Sequence, residues 1–415
     1  MSAPPSRFRH VEGSGYPAPV SISTGTARRE VLTARNAVMA TFFVNGVALA
    51  SWASRIPAMR EHLGLGPAAL GLVLLAASVG SLLALPTSGG MVQRFGARRV
   101  VMAAAVVEGA GLLLLAFGAG VAQTVPLTAA GLFLVGLGNG NWDVAMNVEG
   151  AEVERRLGRS VMPRFHAAFS LGTVAGAAVG ALVTYVGIGI MWHIGAIAVL
   201  IAVFGCVSVQ RFLAVLPAHE KPATAGALSA WGEPRIIAIG VMVLAMALTE
   251  GVANDWLGVA IVDGYGAEPW VGAAGFALFV AAMTVGRGTG TLLLDTFGRL
   301  PVLWGSMAVA GLGVLLVVLG QVPVLVTVGI VLWGVGASLG FPVGMSAAAD
   351  DPARAAARVS VVSTIGYTAF LAGPPLLGFL GSHFGVLHAL LVVSVLLIPS
   401  AFAVPAARRQ ELPAA

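Results

Sequence analysis

The chain has 415 residues, of which 58% are hydrophobic and only 10% are charged, and its mean hydropathy is +0.92. Because the surface of a soluble protein must face water, such a protein carries about 25% charged residues. The composition therefore argues against a soluble enzyme, a nucleic-acid-binding protein and a disordered chain, although the net charge is +5, and predicts an integral membrane protein. The single cysteine, Cys206, permits no internal disulfide, and no pattern of residues predicts a metal or another cofactor.

Twelve apolar runs follow one another along the chain, separated by short polar breaks. They come after a tail, residues 1–32, that is rich in Pro, Gly, Ser and Thr, lacks the apolar core of a signal peptide, and is predicted to be disordered. A helix that crosses a bilayer needs about 20 mostly apolar residues. The sequence therefore predicts twelve membrane-spanning helices, spans 1 to 12, at 33–54, 69–90, 98–120, 124–148, 165–187, 190–212, 235–257, 270–293, 300–319, 322–347, 359–380 and 385–405.

The basic residues indicate how the chain is oriented. Of the 23 Lys and Arg residues, all but Arg55, Arg60 and Arg287 fall in the N-terminal tail, the even-numbered loops or the C-terminal end. Loops on the cytoplasmic side of a membrane carry an excess of Lys and Arg. The pattern predicts a multi-pass protein of the cytoplasmic (inner) membrane, with both termini in the cytoplasm.

The spans divide into two similar sets of six. After span 2 stands Gln93-Arg94-Phe95-Gly96, and after span 8 stands Asp295-Thr296-Phe297-Gly298. Spans 4 and 10 share the spacing Gly-x4-Gly-x-Gly, and such internal similarity is typical of a duplicated transporter fold. The predicted fold is all-α, with two pseudo-symmetric six-helix bundles. Its predicted parts are the tail 1–32, the N-terminal bundle 33–212, the cytoplasmic central loop 213–234, the C-terminal bundle 235–405 and the cytoplasmic tail 406–415.

The loop after span 2 resembles the signature loop of the major facilitator superfamily of secondary transporters, Gly-x-x-x-Asp-Arg-x-Gly-Arg-Arg. Here it reads Gly90-Met91-Val92-Gln93-Arg94-Phe95-Gly96-Ala97-Arg98-Arg99, with Gln93 in place of the acid, while the second copy keeps Asp295 and Arg299. A narrower similarity to bacterial fucose-permease-like and rhizopine-transport-like carriers rests on Asn45-Gly46, Ser51-Trp52-Ala53-Ser54-Arg55-Ile56-Pro57, Asp143-Val144-Ala145-Met146-Asn147 and Phe165-His166-Ala167-Ala168-Phe169. The resemblance implies two bundles that rock around a central site lined mainly by spans 1, 4, 7 and 10.

Span 4 carries the most polar helix face. Asn139, Asp143 and Asn147 recur every four residues, so they share one side of the helix. Amide groups and a carboxylate can hydrogen-bond the hydroxyl groups of a sugar-like solute. These three residues are predicted to bind substrate, the alternative being a polar network between spans. Asn141 faces the other side and is predicted to bond a neighbouring span.

Spans 1, 7 and 11 supply the remaining candidates for substrate binding. Asn45 and Trp52 are seven residues apart and lie on roughly one face of span 1. Trp52 is interpreted either as a stacking surface for a sugar or as part of the interfacial aromatic belt. Asn254 in span 7 and Tyr367 in span 11 are the candidates from the second half.

Acidic residues inside the spans suggest coupling to protons. A charged side chain at the bilayer centre costs about 2.5–3.5 kcal/mol, so each one needs a reason to be there. Glu250 in span 7 is predicted to carry the proton, with Asp143 second; the alternative is a static hydrogen bond across the two halves. Asp255 is predicted to be a solvated helix end, and Arg287 to reach the membrane surface or an acid on a neighbouring span.

Other residues are predicted to act in helix packing and in gating. Gly172, Gly176 and Gly180 remove the side chains from one face of span 5, which predicts close packing and sliding between the halves. Glu149 is interpreted as part of the gate or as a packing ion pair. The predicted gate comprises Gln93, Arg94, Arg98, Glu149, Arg164, Asp295 and Arg299.

The predicted function is secondary active transport of a small polar solute, with a sugar or polyol as the first candidate and protons as the coupling ion. No glycine-rich phosphate loop followed by Lys-Ser/Thr occurs in the sequence, so ATP is not expected to power it. The alternatives are a drug or metabolite exporter of the same fold and a non-transporting membrane sensor. We expect a monomer in the lipid bilayer that binds no cofactor and no nucleic acid and catalyses no reaction.

Overall fold

The computed structural model describes residues 25–159, 161–213, 230–351 and 354–409, and all regular structure in these ranges is helical. The predicted tail before residue 25, most of the predicted central loop and the last six residues lie outside the described residues. We number the long helices in chain order. They are α1 (Gly25–Ala53), α2 (Pro67–Phe95), α3 (Ala97–Gly120), α4 (Val125–Leu157), α5 (Met162–Tyr185), α6 (Ile190–Ser208), α7 (Pro234–Val252), α8 (Pro269–Phe297), α9 (Arg299–Leu319), α10 (Pro323–Ala337), α11 (Ala355–Phe384) and α12 (Leu391–Ala401).

Shorter segments extend several of these helices. Ile56–Leu63 follows α1, and α7 continues through a π-helical turn at Ala253–Leu257 into Gly258–Tyr265. Gly340–Ala348 continues α10, and Val386–Ala389 precedes α12. Ten of the resulting helices are long and apolar enough to cross a membrane; the other two are α4, whose centre is polar, and the shorter Val386–Ala401. The all-helical fold with twelve spans is thus as predicted.

Several helices are longer than the apolar runs that predict them. Residues 25–32 belong to α1, whereas the composition predicts disorder there. Helix α4 ends about nine residues beyond its predicted end, and the continuation of α7 to Tyr265 ends about eight residues beyond its own. The stretch Thr26–Arg35 is made mostly of Ala, Arg, Glu, Val and Leu with few poor helix formers, so the helix propagates past the bilayer core. A prediction from hydropathy ends a span at the first charged residues, whereas the helix itself continues past them.

The two halves use the same packing scheme. In the first half α1 packs on α5 and α6, α2 packs on α4, and α3 packs on α4 and α6. In the second half α7 packs on α11 and α12, α8 on α10, and α9 on α10 and α12. The equivalent helix pairs correspond one to one, which is the arrangement a duplicated six-helix unit produces.

Glycines allow the closest of these helix crossings. An ideal Cβ placed on Gly172 of α5 would lie 2.0 Å from the backbone oxygen of Phe43 on α1, and one on Gly46 would lie 2.2 Å from the backbone oxygen of Phe169. Only glycine permits the α1 and α5 backbones to approach so closely. Gly176 also faces α1, so this glycine face packs within the first half and does not form the predicted sliding surface between the halves.

The halves meet through α5 with α8 and α2 with α11. At the end of the bundle opposite to the chain termini, the Arg60 guanidinium forms an ion pair with Asp263, and Tyr185 packs edge-on against Trp270 with ring centroids 5.3 Å apart. At the arginine-rich end, His166 on α5 and Thr291 on α8 are exposed. Contacts between the halves thus join them at the first end, while these two residues leave exposed positions on both halves at the arginine-rich end.

Candidate functional site

A central cavity of about 330 Å³ lies between the two halves. The first half lines it from α1, α2, α4 and α5, and the second half from α7, α8 and α11. Among the described residues, α10 contributes none of the lining, contrary to the expectation from the resemblance. The reason is that α10 packs behind α8 and α9, and its Trp333 indole N–H donates to the backbone oxygen of Thr249 on α7 at 3.1 Å.

The polar face of α4 forms the first-half wall. Asn139 and Asp143 line the cavity, and the Asn45 side-chain amide on α1 donates a hydrogen bond to the Asn139 side-chain oxygen at 3.2 Å. Asn147 is not part of the lining; its amide donates to the backbone oxygen (2.8 Å) and to Oδ1 (3.2 Å) of Asp143. Asn147 therefore orients the carboxyl group that faces the cavity.

Asn141 lies on the opposite face of α4, as predicted from the helix period. Its side-chain oxygen accepts a hydrogen bond from the Ser88 hydroxyl of α2 at 2.9 Å, and its amide donates to the backbone of Leu137 at 2.8 Å. This residue thus connects two spans inside the first half, which confirms the predicted bond to a neighbouring span.

An ion pair occupies the second-half wall. The Nη2 atom of Arg287 on α8 lies 2.9 and 3.0 Å from the two carboxylate oxygens of Glu250 on α7. Both side chains line the cavity and are partly exposed to it, by 30% and 18% respectively. The sequence predicts that Arg287 reaches either the membrane surface or an acid on a neighbouring span, because an arginine inside a span needs a partner. The structure shows that this partner is Glu250.

A distorted turn brings two more polar residues to the cavity. Asn254 and Asp255 belong to the π-helical turn Ala253–Leu257, and both line the cavity. The prediction that Asp255 is a solvated helix end is wrong, because the helix continues to Tyr265. Single π-helical turns inside α-helices are frequent at functional sites, since they turn extra side chains toward a binding space.

Aromatic rings lie on both sides of the cavity. Trp52 on α1 is 7% exposed, lines the cavity, and has a buried indole N–H without a hydrogen-bond partner in the part of the chain that the structure describes. Tyr367 on α11 is 37% exposed and lies between the rings of Phe341 and Phe370, at 6.1 and 6.4 Å. Both are predicted substrate contacts and both line the cavity, and their contact with a solute stays a prediction.

The predicted gate residues of the first half are dispersed. Gln93 and Arg94 are exposed, and Arg98 donates to the Gln210 side chain at the end of α6. Glu149 is buried, 2% exposed, and accepts a hydrogen bond from the Leu213 backbone N–H at 2.6 Å. It therefore anchors the segment after α6, and its part in a gate stays a prediction.

Arg164, another predicted gate residue, lies on the face of α5 turned away from the cavity, and its part in a gate stays a prediction. The cavity side of α5 carries Phe169 and Thr173. Arg164 precedes Ala168 and Leu171 by four and seven residues, which places it on the face turned away from the cavity. Its side chain is exposed at the arginine-rich end.

In the second half, Arg299 of the predicted gate binds Asp350 and not Asp295. Asp295 is exposed, whereas Arg299 binds both carboxylate oxygens of Asp350 at 2.9–3.1 Å. Arg235 at the start of α7 also donates to Asp350, at 3.0 Å, and to the backbone oxygens of Ala406 and Arg408. The sequence missed this cluster because Asp350 is far from Arg299 along the chain and follows an ordinary apolar span.

The comparisons with known proteins agree with this architecture. The family model described as "Major Facilitator Superfamily" matches residues 38–290. An uncharacterised transporter of Sinorhizobium fredii, y4wD, is 36% identical over 354 residues, which is 85% of this chain and 92% of the relative. The membrane protein MosC of Rhizobium meliloti is 27% identical over 379 residues, 90% of this chain and 89% of MosC.

Solved structures show the same fold at low sequence identity. The crystal structure of a point mutant of the nucleoside transporter NupG superposes with a TM-score of 0.76 and 14% identity, covering 91% of this chain and 99% of that one. At this identity the likeness concerns the fold alone, while the family match and the sequence relatives concern ancestry. Together with the twelve spans and the central cavity between two halves, they show that the chain is a member of the major facilitator superfamily of transporters.

Proposed function

We propose that this transporter moves a small polar solute, with a sugar or polyol as the first candidate, by proton-coupled alternating access. The observation that carries the proposal is the cavity itself, in which polar groups from both halves face one another. Asn45, Asn139 and Asp143 come from the first half, and Glu250 and Asn254 from the second. A solute that bonds to both walls is released when the halves rock apart, which is the coupling that alternating access needs.

The amide-rich wall favours a neutral hydroxylated solute. Side-chain amides offer both donors and acceptors, so Asn139 and Asn254 can each bond a hydroxyl group in either sense. Trp52 offers a flat apolar surface on which the C–H face of a sugar can stack. These residues, with Tyr367, form the proposed substrate site.

The Glu250–Arg287 pair supports proton coupling. The Arg287 guanidinium donates to both carboxylate oxygens of Glu250 inside the cavity. When a proton binds Glu250 the attraction is lost, and Arg287 becomes free to bond the solute or the facing wall. Glu250 is therefore proposed as the proton carrier, with Asp143 as the second acid, since it faces the same cavity from the other half.

Transport measurements in proteoliposomes that contain an interior pH dye test this proposal. We expect sugars or polyols to trigger acidification with the wild type, and Glu250→Gln to abolish solute-driven proton movement while retaining exchange of labelled solute. Ser78→Ala, which removes a hydroxyl bonded to the Phe370 backbone, serves as a cavity control that keeps every titratable group. Proton movement that survives in Glu250→Gln would refute the carrier assignment and direct attention to Asp143.

An exporter of drugs or metabolites is the second candidate, because leucine and aromatic side chains also line the cavity. Leu74, Leu82, Phe276 and Phe370 give it an apolar portion that tolerates different ligands. Amphipathic amines added in the same assay separate the two functions, because an exporter would respond to many of them and to few sugars. The proposed setting in both cases is a monomer in the inner membrane with both termini in the cytoplasm.

A further inference from the structure

A second cavity lies on the outer surface of the first half, away from the transport site. It has a volume of about 500 Å³ and lies between α1, α5 and α6. Apart from Asn36, which lies at its arginine-rich end, the lining is apolar: Met39, Ala40, Phe43, Val44, Ala168, Leu171, Leu200 and Phe204. We call this cavity the α1–α5–α6 groove.

The groove faces the hydrocarbon of the bilayer. Its walls belong to three membrane-spanning helices, and Phe43, Leu171 and Phe204 in the lining are exposed by 38%, 58% and 52%. Such side chains at the surface of a membrane protein contact lipid tails. The occupant of the groove therefore has a long apolar part that lies along the helices.

Basic residues stand at one end of the groove, where its helices reach the membrane surface. On α1, Arg35 donates from two guanidinium nitrogens to the side-chain oxygen of Asn36, at 3.2 and 2.9 Å, which ties its charge to the groove lining. On α5, Arg164 lies on the same face as Ala168 and Leu171. On the segment after α6, Arg211 is exposed seven residues beyond Phe204.

We propose that the α1–α5–α6 groove binds one anionic phospholipid of the leaflet at the arginine-rich end. One acyl chain lies in the groove, and the phosphate is bound by Arg35 and Arg164, with Arg211 at the edge. The apolar groove does not distinguish between lipids, because their hydrocarbon tails are alike. The three arginines near its end favour a lipid with a negatively charged headgroup. The Asn36 amide remains available to hydrogen-bond the glycerol region.

The groove also accounts for the position of Arg164. This residue starts a helix whose other face lines the transport cavity, yet its own face leads to the lipid. A lipid held there contacts α1 and α5 from outside, the two helices whose close crossing depends on Gly46 and Gly172.

Native mass spectrometry of the full chain in detergent, titrated with phosphatidylglycerol or phosphatidylcholine of identical acyl chains, tests the proposal. We expect phosphatidylglycerol to bind at least ten-fold more tightly. Arg164→Gln and, independently, Arg35→Gln should each weaken it about five-fold, since each arginine near an anionic headgroup contributes about that factor. Arg94→Gln, an exposed arginine of α2 at the same end but off the groove, is the matched control and should change nothing.

A second pair of variants tests the acyl-chain part. Ala40→Trp fills the groove, while Val199→Trp adds the same ring to an exposed position of α6 that does not line it. Only Ala40→Trp should weaken binding of phosphatidylglycerol. Equal affinity for the two lipids, an equal effect of Arg94→Gln, full binding by Ala40→Trp, or displacement of the lipid by free glycerol phosphate at similar concentration would each overturn the proposal.

Discussion

Removing Arg287 alone should destabilise the protein more than removing both members of its ion pair. The Arg287→Gln variant leaves the Glu250 carboxylate in the cavity without the guanidinium that lies 2.9 and 3.0 Å from its oxygens. Breaking a fully buried pair costs about 3–5 kcal/mol, whereas an exposed pair is worth about 0.2–1 kcal/mol. Because the two side chains are 30% and 18% exposed, we expect a loss of about 1–3 kcal/mol in the free energy of unfolding.

The double variant should recover most of that loss. With Glu250→Gln and Arg287→Gln combined, two neutral amides face each other and no charge is left unpaired. The coupling energy from the double-mutant cycle is therefore expected to be about 1–3 kcal/mol.

Reversible unfolding in mixed micelles with an increasing fraction of sodium dodecyl sulfate measures these free energies. The four proteins of the cycle are compared under identical conditions. If the sum of the two single-variant effects equals the effect of the double variant to within about 0.5 kcal/mol, the pair is not energetically coupled. A loss for Arg287→Gln no larger than the loss for the double variant would contradict the argument that an unpaired carboxylate in the cavity is costly.

Two further predictions concern packing and the charge cluster at the arginine-rich end. Gly172→Ala should lower the free energy of unfolding by about 1–3 kcal/mol, because the added Cβ would lie 2.0 Å from a backbone atom of α1. Gly89→Ala, whose Cβ would have no atom within 4 Å, should not lower it. Thermal unfolding in detergent compares the two variants, and equal effects would contradict the packing argument. Asp350→Asn should lower the free energy of unfolding by about 2–4 kcal/mol, because it leaves Arg235 and Arg299 without their shared carboxylate. Asp295→Asn, at an exposed acid, should change it by no more than about 0.5 kcal/mol. The opposite order in the same series would show that Asp295 is the more important acid.

The sequence predicts the architecture well because hydropathy and helix period are local properties. Twelve apolar runs, the division into halves and the shared face of Asn139 and Asp143 all follow from spacing within one helix. The bond from Asn141 to a neighbouring span follows from the same spacing, since two residues along a helix turn a side chain to roughly the opposite side. All of these inferences can be made without information on which helices are neighbours.

The rest depends on how each helix is rotated and which helix lies beside it. Arg287 binds Glu250, thirty-seven residues earlier, and Arg299 binds Asp350, fifty-one residues later; neither distance carries a pattern in the sequence. Asp255 was misplaced because the end of α7 was inferred from hydropathy, while the helix continues into a segment held by the Arg60–Asp263 pair.

The two halves are similar in packing and different in chemistry, and transport needs both properties. Equivalent helix pairs give the two halves the same internal packing, and in the proposed alternating access each half would keep that packing while the two ends of the cavity open in turn. Recognition of one solute needs groups that are not repeated: amides and a carboxyl group on α4 in the first half, and an ion pair between α7 and α8 in the second. A solute that bonds to both walls therefore meets two different sets of groups, and a change of charge at Glu250 alters only one of them. In the proposed mechanism, that asymmetry would allow protonation of a single carboxyl group to bias the motion of two otherwise similar halves.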